Sequence, residues 1–275
     1  MTDRSTRARR RFGQHFLEPP WVLKVLRSIA PLPGETFIEI GPGRGALTLP
    51  LVEAGAHVVG FELDRNLAAE LQRASMPRLR VVEGDFLRVT PASLRAVLGD
   101  SRTVGRVRIA GNLPYNVASP MLLLLGELFE SGLPFVDATL MLQRDVADRV
   151  AAAPGSKDWG VLTVLVRRQA EVERLLQLPP GAFRPQPKVE STLVRLRFHP
   201  GSPPVRDLAA FIALTRAIFT RRRKTLANAL LAYPPASALQ PAVALTRAAI
   251  DPRRRPETLN LTELGRLADV YSAVL

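Results

Sequence analysis

The chain has 275 residues, 38 Lys+Arg against 25 Asp+Glu for a formal charge of +13, 47% apolar residues and no cysteine. That length buries a substantial core, as one large domain or a catalytic domain with a smaller appendage. The composition excludes disorder, and the missing cysteine excludes disulfides, zinc ribbons and thiol nucleophiles while fitting a reducing cytosol. The positive charge is uneven: residues 1–11 carry a net +4, residues 12–180 are neutral, and residues 181–275 carry +9. A neutral body with basic ends predicts chemistry in the body and a polyanion gripped by the ends. The apolar run Pro120–Gly126 falls far short of the roughly 20 residues a membrane span needs, so a cytoplasmic protein without membrane contact is expected.

From Thr36 onward, β-like and helix-like runs alternate. Thr36–Ile40 reads as a strand, Ala46–Ala54 as a helix, His57–Glu62 as a second strand, and Asn66–Ala74 as a helix that Asp64 caps. Leu79–Glu83, Val104–Ala110 and Ala138–Gln143 read as three further strands, with helices at Val117–Glu130 and Asp145–Ala153. This alternation predicts an α/β fold with a doubly wound, Rossmann-like parallel sheet. Beyond it, Trp159–Gln169 reads as a helix. Val172–Leu178 and Val189–Phe198 read as an antiparallel edge pair around the Pro-rich turn Pro179–Pro187. After Pro200–Pro204 the pattern is helical: Leu208–Phe219, Lys224–Ala232, Ala242–Ala249 and Leu261–Val274. The expected organisation is therefore a basic tail (1–12), a catalytic α/β domain (13–200) and a small all-α domain (201–275).

Glu39-Ile40-Gly41-Pro42-Gly43-Arg44-Gly45 lies where the first strand meets the first helix. Glycines there permit a tight turn and close approach of a ligand to the backbone. Glu62, at the end of the second strand, stands where an acid accepts hydrogen bonds from a ribose diol, so a nucleoside-containing cofactor is predicted. The spacing is not that of a dinucleotide fingerprint. An acid two residues before Gly41 would repel a pyrophosphate but suits the cationic methionine end of S-adenosylmethionine. Asp85, after the third strand, is placed to accept from an adenine amine or to serve as a plain turn residue.

The fourth strand leads into Asn112-Leu113-Pro114-Tyr115. An exocyclic adenine nitrogen is a poor nucleophile because its lone pair is delocalised into the ring. The Asn112 side-chain oxygen and a backbone carbonyl, both accepting its N–H groups, can draw the lone pair out of conjugation. Pro114 stiffens the turn, and Tyr115 offers a face for an extruded base. Positioning then supplies most of the catalysis, with no metal and no covalent nucleophile.

These motifs, in this order, resemble those of the ribosomal RNA adenine N6,N6-dimethyltransferases of the KsgA type, over nearly the whole chain. Gly13-Gln14-His15-Phe16-Leu17 looks like the family's segment that closes over the cofactor's methionine part. Phe183-Arg184-Pro185-Gln186-Pro187-Lys188-Val189 looks like the later motif whose Phe forms the second face of the base sandwich. Pro154-Gly155-Ser156-Lys157 and Arg222-Arg223-Lys224-Thr225-Leu226 are also similar to family segments. The resemblance implies that Gln14, His15, Leu17, Gly41, Gly43, Glu62, Asp85 and Asn112 hold S-adenosylmethionine. It implies that Asn112, Leu113 (through its carbonyl), Pro114, Tyr115 and Phe183 hold the target base. The implied substrate is a pair of adjacent adenosines in a hairpin near the 3′ end of small-subunit (16S) rRNA, on the immature 30S subunit, with the protein a monomer. Two alternatives are a large-subunit rRNA methyltransferase conferring antibiotic resistance and a non-catalytic RNA-binding or transcription factor derived from the family. The family often has Asn at position 15, which leaves the His15 side-chain role open. Arg221, Arg222, Arg223 and Lys224 are expected to face RNA phosphates from a helix that Phe219, Leu226 and Leu230 anchor.

Overall fold

A computed structural model describes residues 14–99 and 106–274, so the basic tail, Gly13 and the start of the strand expected at Val104 lie outside the described residues. The elements run β1 (Phe16–Leu17), α1 (Pro19–Ile29), β2 (Thr36–Ile40), α2 (Thr48–Glu53), β3 (His57–Glu62), α3 (Arg65–Arg73), β4 (Leu79–Glu83), α4 (Pro91–Leu98) and β5 (Val107–Asn112). They continue α5 (Ala118–Glu130), β6 (Phe135–Gln143), α6 (Arg144–Val150), α7 (Val161–Arg167), β7 (Ala170–Leu178), β8 (Phe183–Arg184) and β9 (Ser191–Phe198). The last helices are α8 (Leu208–Thr220), α9 (Leu226–Leu230), α10 (Pro241–Arg247) and α11 (Leu261–Ser272).

Seven strands form one sheet in the order β4-β3-β2-β5-β6-β9-β7. β2, β3, β4, β5 and β6 pair in parallel, and β9 joins β6 antiparallel. Consecutive apolar positions such as Phe37-Ile38 and Ile109-Ala110 are buried, as expected of parallel strands covered on both faces. From β2 the chain winds outward through β3 and β4, then returns to the other side of β2 as β5. That reversal is a topological switch point, where the C-terminal ends of two neighbouring strands open a crevice. The register places Ile40 opposite Gly111, so the glycine loop and Asn112 emerge side by side.

Gly111 is required by that close pairing. A Cβ there would lie 2.7 Å from the Ile40 carbonyl oxygen. Gly111→Ala is therefore expected to lower stability by about 1–3 kcal/mol, the usual cost of overpacking, read as a lower urea midpoint with an unchanged slope.

At the other end of β5 sits a buried ion cluster. Arg108 binds Asp137 through both carboxylate oxygens, at 2.9 and 3.0 Å, and reaches Glu35 at 3.0 Å and the Ile29 carbonyl at 2.8 Å. Arg195 on β9 approaches the same Asp137 at 3.6 Å.

Four elements have no counterpart in the sequence reading. α1 opens on Pro19 and Pro20, a position that tolerates proline, and buries Val22, Val25 and Ile29. α4 is held by a Thr90/Ser93 capping box. β1 and β8 form a two-residue antiparallel ladder, Phe16 with Arg184 and Leu17 with Phe183, too short for any periodicity to show.

The described residues up to Ala147, with Glu171–Phe198, form one compact unit; Asp148–Ala170 with His199 onward form a second. The boundary near residue 200 coincides with the end of β9, but residues 148–170 pack with the helices rather than the sheet. Trp159 and Val164 are buried among Phe211, Leu214, Leu264 and Tyr271, and Gly155 N–H donates to the Glu257 carbonyl at 2.7 Å.

Candidate active site

The loop after β2 turns through three glycines with positive φ, Gly41 (70°), Gly43 (59°) and Gly45 (82°). Gly43 shows why: its N–H donates to Glu62 Oε2 at 2.8 Å, and an L side chain is strained at that φ. The other oxygen, Oε1, accepts from Asp64 N–H at 2.8 Å, and Asp64 caps α3 by accepting from Asn66 N–H. Glu62 is thus fixed at the end of β3 by two backbone amides. Burial raises its pKa above the ordinary carboxylate value, and the two amides work in the opposite direction. A loop amide that would meet a phosphate in a dinucleotide site is here committed to a carboxylate.

One pocket at the switch point gathers Gln14, His15, Leu17, Gly41, Gly43, Glu62, Asp85 and Asn112, every residue the sequence assigned to the cofactor. Glu39 joins them. It is 2% exposed, and its Oε2 has no hydrogen-bond partner. Burial pushes its carboxyl up to about 7; nearby Glu62 adds to that, and the Thr48 hydroxyl opposes it. Asp85 serves as a turn residue, its Oδ1 accepting from Leu87 N–H at 3.0 Å to cap the turn Phe86–Arg88, and it also lines the pocket. Among the described residues the lining therefore holds three carboxylates and no Lys or Arg. Such a pocket fits a nucleoside bearing positive charge, as S-adenosylmethionine does, and rejects a pyrophosphate. Among the described residues no group of three or more His, Asp or Glu is placed to hold a metal ion.

Asn112 is the last residue of β5, and its Nδ2 donates to the His15 carbonyl at 2.6 Å. A carbonyl only accepts, so this contact fixes the amide with its NH2 toward His15 and leaves Oδ1 as the acceptor. Leu113 is buried and donates its N–H to the Met141 carbonyl at 3.3 Å; the Pro114 carbonyl accepts from Val117 N–H. Tyr115 hydrogen-bonds Ser191 through its hydroxyl at 2.9 Å, and burial raises that hydroxyl's pKa. The His15 ring stacks on Tyr115 with centroids 5.5 Å apart, and its Nδ1 lies 2.6 Å from the Pro185 carbonyl. His15 thus touches both halves of the Asn112–Tyr115 loop, one through its main chain and one through its ring. Ser191 was not singled out from the sequence. Only its position at the start of β9, which pairs with β6, carries it to Tyr115.

Two expectations are corrected. Phe183 is fully buried in the core formed by Leu17, Val22, Val25 and Leu193, and it does not line the pocket. In the β1–β8 ladder alternate residues face opposite ways, so Phe183 turns inward and Arg184 outward. As it stands it offers no face to a base. The basic run Arg221–Lys224 is a turn between α8 and α9 rather than a helix face. Within it Arg222 pairs with Glu257 and donates to the Ser156 carbonyl, so this guanidinium braces the helical unit. Arg221, Arg223 and Lys224 are exposed.

A family model described as ribosomal RNA adenine dimethylase matches residues 5–264. A protein of Nitrosococcus oceani named ribosomal RNA small subunit methyltransferase A is 44% identical over 262 residues, covering 94% of this chain and 93% of its own. Among solved structures, a dimethyladenosine transferase from Plasmodium falciparum superposes with a TM-score of 0.74 at 22% identity, covering 92% of this chain and 96% of its own. The 23S rRNA methyltransferase ErmE superposes with a TM-score of 0.64 at 23% identity, covering 94% of this chain and 99% of its own. At those identities the two structures establish the fold alone.

Proposed function

Since the chain belongs to the ribosomal RNA adenine dimethylase family, we propose that it dimethylates the N6 amines of two adjacent adenosines in a hairpin near the 3′ end of small-subunit rRNA. S-adenosylmethionine is the methyl donor, and the work is a step in ribosome biogenesis. The observation that carries this reading is the orientation of Asn112: its amide oxygen is left as an acceptor at the tip of β5, beside a pocket whose lining among the described residues is acidic. The small-subunit assignment rests on relatives named for that subunit.

Bound S-adenosylmethionine supplies a methyl carbon already activated by its attachment to a cationic sulfur. The protein positions the partners. Glu62 keeps lone pairs for ribose hydroxyls after accepting its two backbone N–H groups, and Asp85 accepts from an adenine amine. Gln14, His15 and Leu17 close over the pocket and exclude water. Asn112 Oδ1 and the Leu113 carbonyl accept the two N6 hydrogens of the target, directing the lone pair toward the methyl group, while Tyr115 stacks on the extruded base. The protein acts in the cytoplasm as a monomer, on immature small subunits. Among the described residues, no helix is long and apolar enough to cross a membrane.

The test is methylation of purified immature small subunits against naked large-subunit RNA, with modified adenosines mapped by mass spectrometry. Two adjacent dimethyladenosines near the small-subunit 3′ end are expected; activity only on large-subunit RNA would overturn the assignment. For RNA grip, the exposed Arg221, Arg223 and Lys224 are the candidates. Neutralising all three is expected to flatten the log affinity–log salt slope by about 2 to 3, since each phosphate contact releases counterions. Neutralising Arg222 alone should instead lower the stability of the helical unit, because it leaves Glu257 unpaired.

A further inference from the structure

Tyr115 is tied to the protein at the tip of its side chain, where its hydroxyl meets Ser191 Oγ at 2.9 Å. Ser191 is the first residue of β9 and stands opposite Gln143, the last residue of β6, in the antiparallel ladder. The residue before it is held to the same junction: the Arg144 N–H donates to the Glu190 carbonyl at 3.0 Å, and Arg144 Nη1 to Glu190 Oε2 at 2.7 Å. The serine is therefore carried on sheet backbone and not on a loop. Strand alternation puts it on the same face of β9 as Leu193, which packs with Leu17, Met141 and Phe183. Ser191 is 1% exposed and does not line the cofactor pocket. A hydroxyl so buried costs free energy unless it is hydrogen-bonded, and Tyr115 supplies the bond.

The rest of the Asn112–Tyr115 loop is fixed through other groups. Asn112 Nδ2 donates to the His15 carbonyl, Leu113 N–H to the Met141 carbonyl, and Val117 N–H to the Pro114 carbonyl. These bonds set the amide and the backbone but leave the Tyr115 side chain its choice of rotamers. The phenol oxygen lies on the long axis of the ring, so anchoring it fixes χ1 and with it the place where the ring stands. A partner on a paired strand holds that place before any ligand arrives.

We infer that Ser191 is a positioning residue for methyl transfer: through the Tyr115 hydroxyl it holds the ring where the target base stacks. This rests on the methyltransferase reading, in which Tyr115 receives the extruded base. Ser191 itself touches neither base nor cofactor. Without its hydroxyl the ring is free to change rotamer, and a base stacked on it shifts relative to Asn112 Oδ1 and the methyl group. The reaction tolerates little of this, since a misplacement of about 1 Å can cost about 10²-fold in rate. Ser191→Ala removes a restraint and no contact to substrate, so a loss of about tenfold in the transfer rate is expected, within that limit. Affinity for S-adenosylmethionine should not change.

The test is a double-mutant cycle on the full chain: wild type, Ser191→Ala, Tyr115→Phe and the double variant. Each transfers tritiated methyl groups to purified immature small subunits in a single turnover, with enzyme in saturating excess so that the rate constant does not depend on the folded fraction. Calorimetry gives S-adenosylmethionine affinity alongside. Tyr115→Phe keeps the ring and removes its hydroxyl, so it should be slowed as much as Ser191→Ala. The double variant should be no slower than either, because both substitutions break one interaction. A serine that served only the core would instead slow the reaction by the same factor with or without the Tyr115 hydroxyl. That additive result, or a wild-type rate in Ser191→Ala, would overturn the inference and leave the methyltransferase reading intact. If Ser191→Ala does not fold, Tyr115→Phe decides: a tenfold loss supports the inference, and a wild-type rate overturns it. No methyl incorporation by the wild type would overturn both.

Discussion

Asn112→Ala lowers the rate of methyl transfer by about 10²–10³-fold, the scale on which enzymes lose rate when one preorganised hydrogen-bonding group is removed. The measurement is incorporation of tritiated methyl groups into small-subunit RNA under single-turnover conditions. The loss is this large because the amide oxygen is held in place before substrate arrives, by the 2.6 Å bond from Nδ2 to the His15 carbonyl. An acceptor that needs no reordering acts at full strength in the transition state. Asn112→Asp keeps acceptor oxygens but turns one toward that carbonyl, so it should recover only part of the rate. RNA affinity should be unchanged in both variants. A loss smaller than tenfold in Asn112→Ala would remove the residue from the chemistry, and no incorporation by the wild type would favour the reading of a non-catalytic RNA-binding protein.

Asp137→Ala should destabilise the protein by about 3–5 kcal/mol, the cost of leaving buried charge without its partner. Both Arg108 and Arg195 depend on this carboxylate, and the Arg108 and Asp137 side chains are each only 10% exposed. Urea denaturation followed by far-ultraviolet circular dichroism gives the figure. Because the cluster lies at the far end of β5 from Asn112, cofactor affinity of the folded fraction should stay near the wild-type value. A cost below 1 kcal/mol would mean that water reaches the cluster readily. Arg108→Met paired with Asp137→Leu should recover much of the loss, since a packed apolar pair needs no desolvation of charge.

The parallel sheet was legible because buried strands announce themselves as short apolar runs between turns, and because Asp64 caps α3 as its position suggested. The glycine loop, Glu62, Asp85 and Asn112 were legible for a related reason: they lie at strand ends, where sequence order maps onto space, whereas Gln14, His15 and Leu17 were named only through the family resemblance. What escaped notice depends on contacts between distant parts of the chain. Phe183 in a proline-rich stretch looked exposed, but β1 pairs with β8, Leu17 opposite Phe183, and turns it inward. The Arg221–Lys224 run looked uniform, yet Glu257, 35 residues after Arg222, singles that residue out. Residues 148–170 carry a strong helical pattern that is silent about which core receives Trp159. α1 could have been found: the buried stripe Val22–Val25–Ile29 has helical spacing, and only the prolines at its start disguised it.

The bond between His15 and Asn112 has a consequence for how this site tolerates change. It uses the main chain of residue 15, and every amino acid carries that carbonyl. Replacement of the imidazole is therefore invisible to Asn112, provided the short β1–β8 ladder keeps the segment in place. The ring's contacts with Tyr115 and Pro185 are free to drift, while the orientation of the amide does not. The vulnerable points are positional. A deletion that shortens the chain between β1 and α1, or a substitution that loosens the Leu17–Phe183 pair, would reorient Asn112 without altering any residue that touches substrate.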